Sequence, residues 1–396
     1  MMSDKPSTVL IALAYNDNGM ATWVYEATRA MRNEGFQVWL AYRHPAVVPA
    51  DLVSISIEYK TKKRHRNFLQ KLAGVIKRNV QLFLPVYSSE EILTGCLEIL
   101  NKKNIIPDII ILNQTSFVSS KTHILQWVVA WSWPVSFSGY LSKMKLPSSH
   151  SWFNRLRDYL YWYKMDHKGY RMANGVIAIT NHLAADLKKL RLNAHCVYPG
   201  TNALDTIPQG KKGSKVRLIT VALGLEDKRK NIQWLVEGLM RLPLYHRDYF
   251  EWILVGAYSE AFFDEVTKKI PEAKFTGKLM RSQLLEELWN ADVFLFASVQ
   301  DDWGYVLIEA MAQGLAVMAP DQYPFIEIIE REDYLFDLNN PETFTNKLDK
   351  ILCEPNLLEE DKAWFFQRFQ TLFSGKAFGR NLARLLSIEG AETNAL

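Results

Sequence analysis

The chain has 396 residues, 48% of them hydrophobic and 23% charged, with a formal net charge of +4. That length allows two domains of ordinary size, each with its own core, and the mild excess of base is too small to argue for a nucleic-acid partner. Three cysteines, Cys96, Cys196 and Cys353, are odd in number and widely spaced, which fits a reducing compartment and argues against a disulfide framework or a zinc site.

The opening residues place Asp4 and Lys5 before a brief apolar run, a layout that reads as a first strand and not as a signal peptide. Short apolar runs then alternate with amphipathic helical patterns. In the first half the predicted strands are Val9–Ala14, Gln37–Tyr42, Ile109–Leu112 and Val176–Ile179, with a helix over Met20–Asn33 after an Asn18-Gly19 loop. That loop lacks the three-glycine dinucleotide fingerprint. The uncharged stretch from Ile124 to Ser142 contains Pro134, Gly139 and four serines, so it is a poor membrane span.

A polar, turn-rich segment, "GTNALDTIPQGKKGSK" (Gly200–Lys215), divides the chain. Beyond it the predicted strands are Val216–Val221, Trp252–Val255, Ala273–Thr276, Val293–Ala297 and Leu315–Ala319. The helices are Ile232–Arg241, Glu260–Lys269, Arg281–Asn290, Tyr305–Gln313 and Pro341–Cys353, followed by a helical pattern from Leu358 to Ile388 that Gly375 can break. Strand–helix alternation of this kind implies parallel sheets covered on both faces. The expected fold class is therefore α/β, with two Rossmann-like doubly wound domains facing across a cleft. The expected boundaries are 1–203 and 204–374, with a helix at about 375–396 packing back on the first domain.

Two stretches carry the chemistry. In "SVQDDWGYVLIEAMAQGLAVMAP" a helix begins at Tyr305 and is apolar on nearly every side, yet it contains Glu309. A carboxylate in such a helix needs a partner, because burying it alone costs several kcal/mol. Ribose hydroxyls or a Lys or Arg side chain would serve equally. Asp301 and Asp302 crowd the loop before the helix. One would hold sugar hydroxyls, and capping or turn-making is the plainer use. In "GLEDKRKNIQWLVEGL" the bases Lys228, Arg229 and Lys230 stand at a helix start, where they oppose the dipole and suggest an anionic ligand.

These pieces, in this order, resemble a GT-B glycosyltransferase of family 4. The family's paired glutamates, in E-G-F-G followed by L-E-A-M-A-x-G, correspond to Asp301-Asp302-Trp303-Gly304 and then Ile308-Glu309-Ala310-Met311-Ala312-Gln313-Gly314. Gly19-Met20 is similar to its G-G-M loop and Lys230-Asn231 to its K-N helix start. The segments "VIAITNHLAADLKK", "VYPGTN", "LVGAYSE", "FTGKLMRSQLLEELWNADVFLFAS" and "YLFDLNNPETF" follow the family's order over nearly the whole chain. The resemblance implies transfer of a sugar from a nucleotide-sugar donor, of UDP or GDP type, with retention and without a metal or other cofactor. It gives Glu309 the donor ribose, Asp301 the sugar hydroxyls and Lys230 the diphosphate. Gly19, Met20, Lys228, Arg229, Asn231, Asp302, Trp303, Gly304, Tyr305 and Val306 would line the donor, and the backbone at Lys278 and Leu279 would read the base. The chain departs from the pattern in carrying Asp301 for a glutamate, Asn18 for a glycine, Ser138 for a histidine, and no arginine shortly before Lys230. Those departures leave open an alternative, a catalytically degenerate GT-B protein that binds nucleotide or a partner.

The acceptor is expected to be a glycan or lipid-linked glycan meeting the first domain, with Ser138, Asp166 and His167 as acceptor-side candidates. The basic stretch Tyr59–Val80 has Phe68, Leu69, Leu72, Val75 and Ile76 at helical spacing, which suits either peripheral contact with an anionic membrane or a helix packed by one face. The expected location is the cytoplasm, at the inner face of the membrane if that contact forms.

Overall fold

The computed structural model describes residues 7–12, 18–43, 48–59, 90–113, 118–120, 122–131, 167–202, 215–299 and 301–393. The chain divides into two compact units, Met1–Pro199 with Phe378–Leu396, and Gly200–Ala377. Ser138, Asp166, residues 60–80 of the basic stretch and residues 203–214 of the polar segment lie outside the described residues.

The first unit contains β1 (Thr8–Ala12), α1 (Asn18–Asn33), β2 (Gln37–Arg43), β3 (Ser56–Tyr59), α2 (Glu90–Asn101), β4 (Ile109–Leu112), β5 (Leu125–Ala130), α3 (Lys168–Met172), β6 (Gly175–Ala178), α4 (Asn181–Lys189) and β7 (Ala194–Cys196). The strands form one parallel sheet in the order β3-β2-β1-β4-β5-β6-β7. Every residue of β4 and β6 is buried, as expected for strands covered on both faces. One expectation needs correction. The helix begins at Asn18, so Gly19 lies in its first turn and not in a loop, a position that tolerates both Asn and Gly because the first N–H groups lack intrahelical partners anyway. The stretch judged a poor membrane span begins with β5, which lies between β4 and β6 and is buried at five of its six positions. The absence of charge in β5 itself reflects its burial in the sheet. No helix among the described residues is long and apolar enough to cross a membrane.

The second unit contains β8 (Val216–Gly224), α5 (Ile232–Met240), β9 (Phe250–Ala257), α6 (Glu260–Lys269), β10 (Ala273–Gly277), α7 (Arg281–Trp289), β11 (Val293–Leu295), α8 (Tyr305–Ala312), β12 (Ala316–Pro320), α9 (Phe325–Ile329), β13 (Leu335–Phe336), α10 (Pro341–Cys353) and α11 (Pro355–Arg368). Its strands are parallel, in the order β10-β9-β8-β11-β12-β13. The chain lays β8, β9 and β10 outward, then returns to place β11 on the other side of β8. That reversal creates a crevice at the carboxyl ends of β8 and β11, where open α/β sheets receive ligands.

Buried hydrogen bonds tie the three strands around this point. Trp252 Nε1–H donates to Thr220 Oγ1 at 3.0 Å, and the Thr220 hydroxyl donates to the carbonyl of Leu295 at 3.0 Å. Near the end of β9, Gly256 has φ +149°, and a Cβ there would lie 2.0 Å from the Ala222 carbonyl oxygen. Only glycine allows this close approach. A π-type turn, Phe369–Phe373, follows α11, and the helical region breaks at Ser374. The helix α12 (Gly375–Thr393) then starts in the second unit and continues in the first.

Candidate functional site

The site is built at the carboxyl ends of β8 and β11. Lys230, in the loop between β8 and α5, extends its Nζ to 2.7 Å from Asp301 Oδ2, in the loop between β11 and α8. Both side chains are about a quarter exposed, at 24% and 27%. The same Nζ lies 5.3 Å from the centre of the Phe296 ring, which adds a cation–π contact. Two sequence-distant residues, each singled out by its motif, thus form one ion pair.

The loops that carry them are themselves joined. The Val299 N–H donates to the Arg229 carbonyl at 2.9 Å, and the Ser298 hydroxyl to the same carbonyl at 3.1 Å. Gln322 Nε2 donates to the carbonyls of Ser298 and Val299 at 3.2 and 3.3 Å. Sequence reasoning did not mark Ser298 or Gln322, since nothing in their spacing distinguishes them. Arg229 points its guanidinium to Asp227, 2.7 Å away. Hydrogen bonds from the Arg229 side chain, then from its backbone, hold the Asp227 carboxyl below its ordinary pKa. Lys228 is exposed.

Two helices open onto this point, and both start unusually. Asn231 precedes α5 with φ 56°, and Gly304 precedes α8 with φ 83°. Neither supplies a side-chain cap, and neither helix has an acid in its first turn. Elsewhere in the chain α4, α6 and α10 are capped by the side chains of Thr180, Ser259 and Asn340. Within their first turns α5 and α8 therefore carry no acid to offset the positive helix ends, which favours an anion there. Gly304 stands at the N-cap of α8, so Asp302, which is exposed, does not take that place. Trp303 is buried, 5.7 Å edge-on from Phe373, and Tyr305 and Val306 form the half-buried first turn.

Glu309, one turn into α8, has 16% of its side chain exposed. Its Oε1 lies 2.9 Å from Nη1 of Arg281, the first residue of α7. A basic partner for the carboxylate is thus present. The arginine itself is 57% exposed. Arg281 was missed, although the signal was there: a base at a helix start with no acid in the first turn, as at Lys228–Lys230. Lys278 and Leu279 lie in the loop just before α7, the first exposed and the second half-buried. In the first unit, Gly19 and Met20 belong to the first turn of α1. His167 is the N-cap residue of α3, its pKa lowered by burial and then by the charge of Arg171. Ser138 and Asp166 lie outside the described residues.

The comparisons with known proteins agree with the fold. A sequence profile described as "Glycosyl transferases group 1" matches residues 216–354, the span that contains Lys230, Arg281, Asp301 and Glu309. No curated protein matches the chain. Among solved structures, a sucrose-phosphate synthase from Thermosynechococcus elongatus superposes with TM-score 0.70 at 16% identity, covering 98% of this chain and 100% of that one. A glycosyltransferase from Rickettsia africae ESF-5 gives 0.66 at 17% identity over 97% and 99%. HepE from Anabaena, solved in complex with UDP and glucose, gives 0.62 at 13% identity over 96% and 99%. At such identities the likenesses show the fold, which is GT-B. Residues 216–354 are accordingly a glycosyl transferases group 1 domain, and the protein is a glycosyltransferase of GT-B fold.

Proposed function

We propose that the enzyme moves a sugar from a nucleotide-sugar donor of the UDP or GDP type to a glycan or lipid-linked glycan acceptor, with retention at the anomeric carbon and no metal in the transfer step. The observation that carries this reading is the Lys230–Asp301 pair at the strand-order reversal, flanked by two uncapped helix starts. A diphosphate fits such a place. Its charge grows as the bond to the anomeric carbon breaks and the leaving oxygen takes the electron pair. Lys230 and the starts of α5 and α8 stabilise that growing charge, which lowers the barrier without acting on the ground state equally. Asp301 accepts hydrogen bonds from donor-sugar hydroxyls while keeping Lys230 in position. Glu309 takes the ribose hydroxyls, and the backbone at Lys278 and Leu279 lies against the base. Retention and metal independence rest on the family resemblance, and the donor class is supported by the UDP and glucose bound in Anabaena HepE. Residues 59–80 would bring the enzyme to the inner face of an anionic membrane. Liposome flotation, lost on charge reversal of Lys62, Lys63, Arg64 and Arg66, tests that part.

The donor reading is tested by screening nucleotide sugars by thermal shift and donor hydrolysis on the wild type and Glu309→Ala. A shift with UDP- or GDP-sugars that the variant loses supports it, and the hydrolysed donor names the sugar. Nucleotide binding with neither hydrolysis nor transfer would favour the degenerate alternative. No shift with any nucleotide, in folded protein, would overturn the proposed site.

A further inference from the structure

A second cluster of chemistry-bearing side chains lies in the same unit, away from the ion pair. His246 sits in a six-residue 3₁₀ helix, Leu244–Tyr249, directly before β9, and its side chain is only 3% exposed. Tyr245 and Tyr249 hold the ring, with centroids 4.3 and 6.0 Å away. Asp349 and Cys353 are one turn apart on the last part of α10, so they share a face. One ligand atom from each of the three residues lies within 4.8 Å of the others.

His246 Nδ1 and Asp349 Oδ1 are both buried, and neither makes a hydrogen bond. They are 3.5 Å apart. That is beyond an ordinary N–H···O hydrogen bond. It is close to the separation of about 3.4 Å between two ligands of one tetrahedral ion bonded at roughly 2.0–2.1 Å. Cys353 Sγ lies 3.8 Å from His246 Nε2. An ion uses one ring nitrogen, so one outer side chain must change rotamer, and the exposed Cys353 can do so.

We propose that His246, Asp349 and Cys353 form a site for a borderline-soft divalent transition-metal ion such as zinc. Thiolate and imidazole ligands favour zinc over magnesium or calcium. As the sulfur–metal bond forms, the thiol gives its proton to solvent. The negative end of the α10 dipole favours a cation at this point. The exposed side at Cys353 leaves an entry path and a fourth position for water. The 3₁₀ helix holding His246 precedes β9, whereas Lys230 and Asp301 follow the carboxyl ends of β8 and β11. The ion would therefore pin that helix to α10 at the opposite edge of the sheet and take no part in sugar transfer. The wide spacing of the cysteines hid this site, because two of its ligands are not cysteines.

The test uses tag-free, reduced, metal-stripped full chain titrated with Co²⁺. One equivalent should give a near-ultraviolet thiolate-to-cobalt band together with visible d–d bands. Cys353→Ala should abolish the near-ultraviolet band, Asp349→Asn should weaken binding, and Cys196→Ala should change nothing. One equivalent of Zn²⁺, but not Mg²⁺, should raise the melting temperature and slow alkylation of Cys353 by iodoacetamide at least about tenfold, since a metal-bound thiolate is shielded. No near-ultraviolet band in folded wild type, or a band that survives Cys353→Ala, would overturn the proposal. So would alkylation of Cys353 at one rate with and without zinc, which would leave a plain thiol–imidazole pair.

Discussion

At the scale of single residues, the two ion pairs of the site differ in what they can cost a donor. Arg281 is more than half exposed, so its contact with Glu309 is worth no more than about 1 kcal/mol. On the proposed reading a ribose would displace it cheaply. Arg281→Ala should change donor affinity by less than about fivefold. Glu309→Ala should weaken it about 10- to 100-fold, the loss of charge-assisted hydrogen bonds worth about 1.5–3 kcal/mol. Calorimetric titration of the hydrolysis-inert nucleoside diphosphate reads both. On the same reading Lys230 carries a different load, because its charge would matter most as a diphosphate leaves. Lys230→Ala should lower kcat by about 100- to 1,000-fold, as removal of a preorganised charge stabiliser does elsewhere. Lys230→Arg should restore little of it, since a planar fork does not reproduce a point charge against Asp301.

At the scale of elements, Gly256 fixes how β9 lies against the end of β8, from which the Lys230 loop departs. Gly256→Ala sets a Cβ against the Ala222 carbonyl at 2.0 Å and forces a side chain into φ +149°. The strain should cost about 1–3 kcal/mol. In a unit of this size that lowers the melting temperature by about 3–10 °C, which differential scanning calorimetry measures. Much of the element order was legible in the sequence, because fully buried parallel strands such as Ile109–Leu112 are apolar at every position. Four strands escaped notice: β5 is a central six-residue strand whose uncharged run was weighed as a membrane span instead, whereas β3, β7 and β13 are short pieces at the sheet edges, β13 with two residues. Periodicity has no signal at that length. The site was legible to the extent that a motif fixes one residue. Lys230 and Glu309 stood out from their neighbours, but the pairing of Lys230 with Asp301 and of Glu309 with Arg281 depends on the sheet order, which no local pattern encodes.

At the scale of the molecule, the depressed carboxylates set the acid limb of stability. In the first unit Asp51 is held below its ordinary pKa, chiefly by the hydrogen bond from Arg29. In the second, Asp227 is held down by Arg229. A group depressed on folding contributes stability that is fully present above its ordinary pKa and is lost as pH falls through the folded value. The melting temperature should therefore stay nearly level from about pH 8 to 5 and fall below about pH 4. Arg29→Ala should flatten part of that fall, because Asp51 then loses its main partner. Thermal scans across the pH series check both. On the alkaline side, burial works against the charge of Lys362, yet Asp292 and Glu359 raise its pKa overall. Its contribution is lost only as pH rises through that raised value.

The path of α12 bears on how the protein is made. Trp23 of α1 packs edge-on against Phe378, 5.6 Å away, so the first unit takes in a helix encoded after the whole of the second. On the ribosome, residues 200–377 emerge as one contiguous piece and can fold while the first unit still lacks a wall. The first unit closes only after Phe378 and the residues behind it have left the exit tunnel. Expression of residues 1–199 by themselves should thus yield an aggregation-prone fragment, rescued by supplying 378–393 on the same or a second chain.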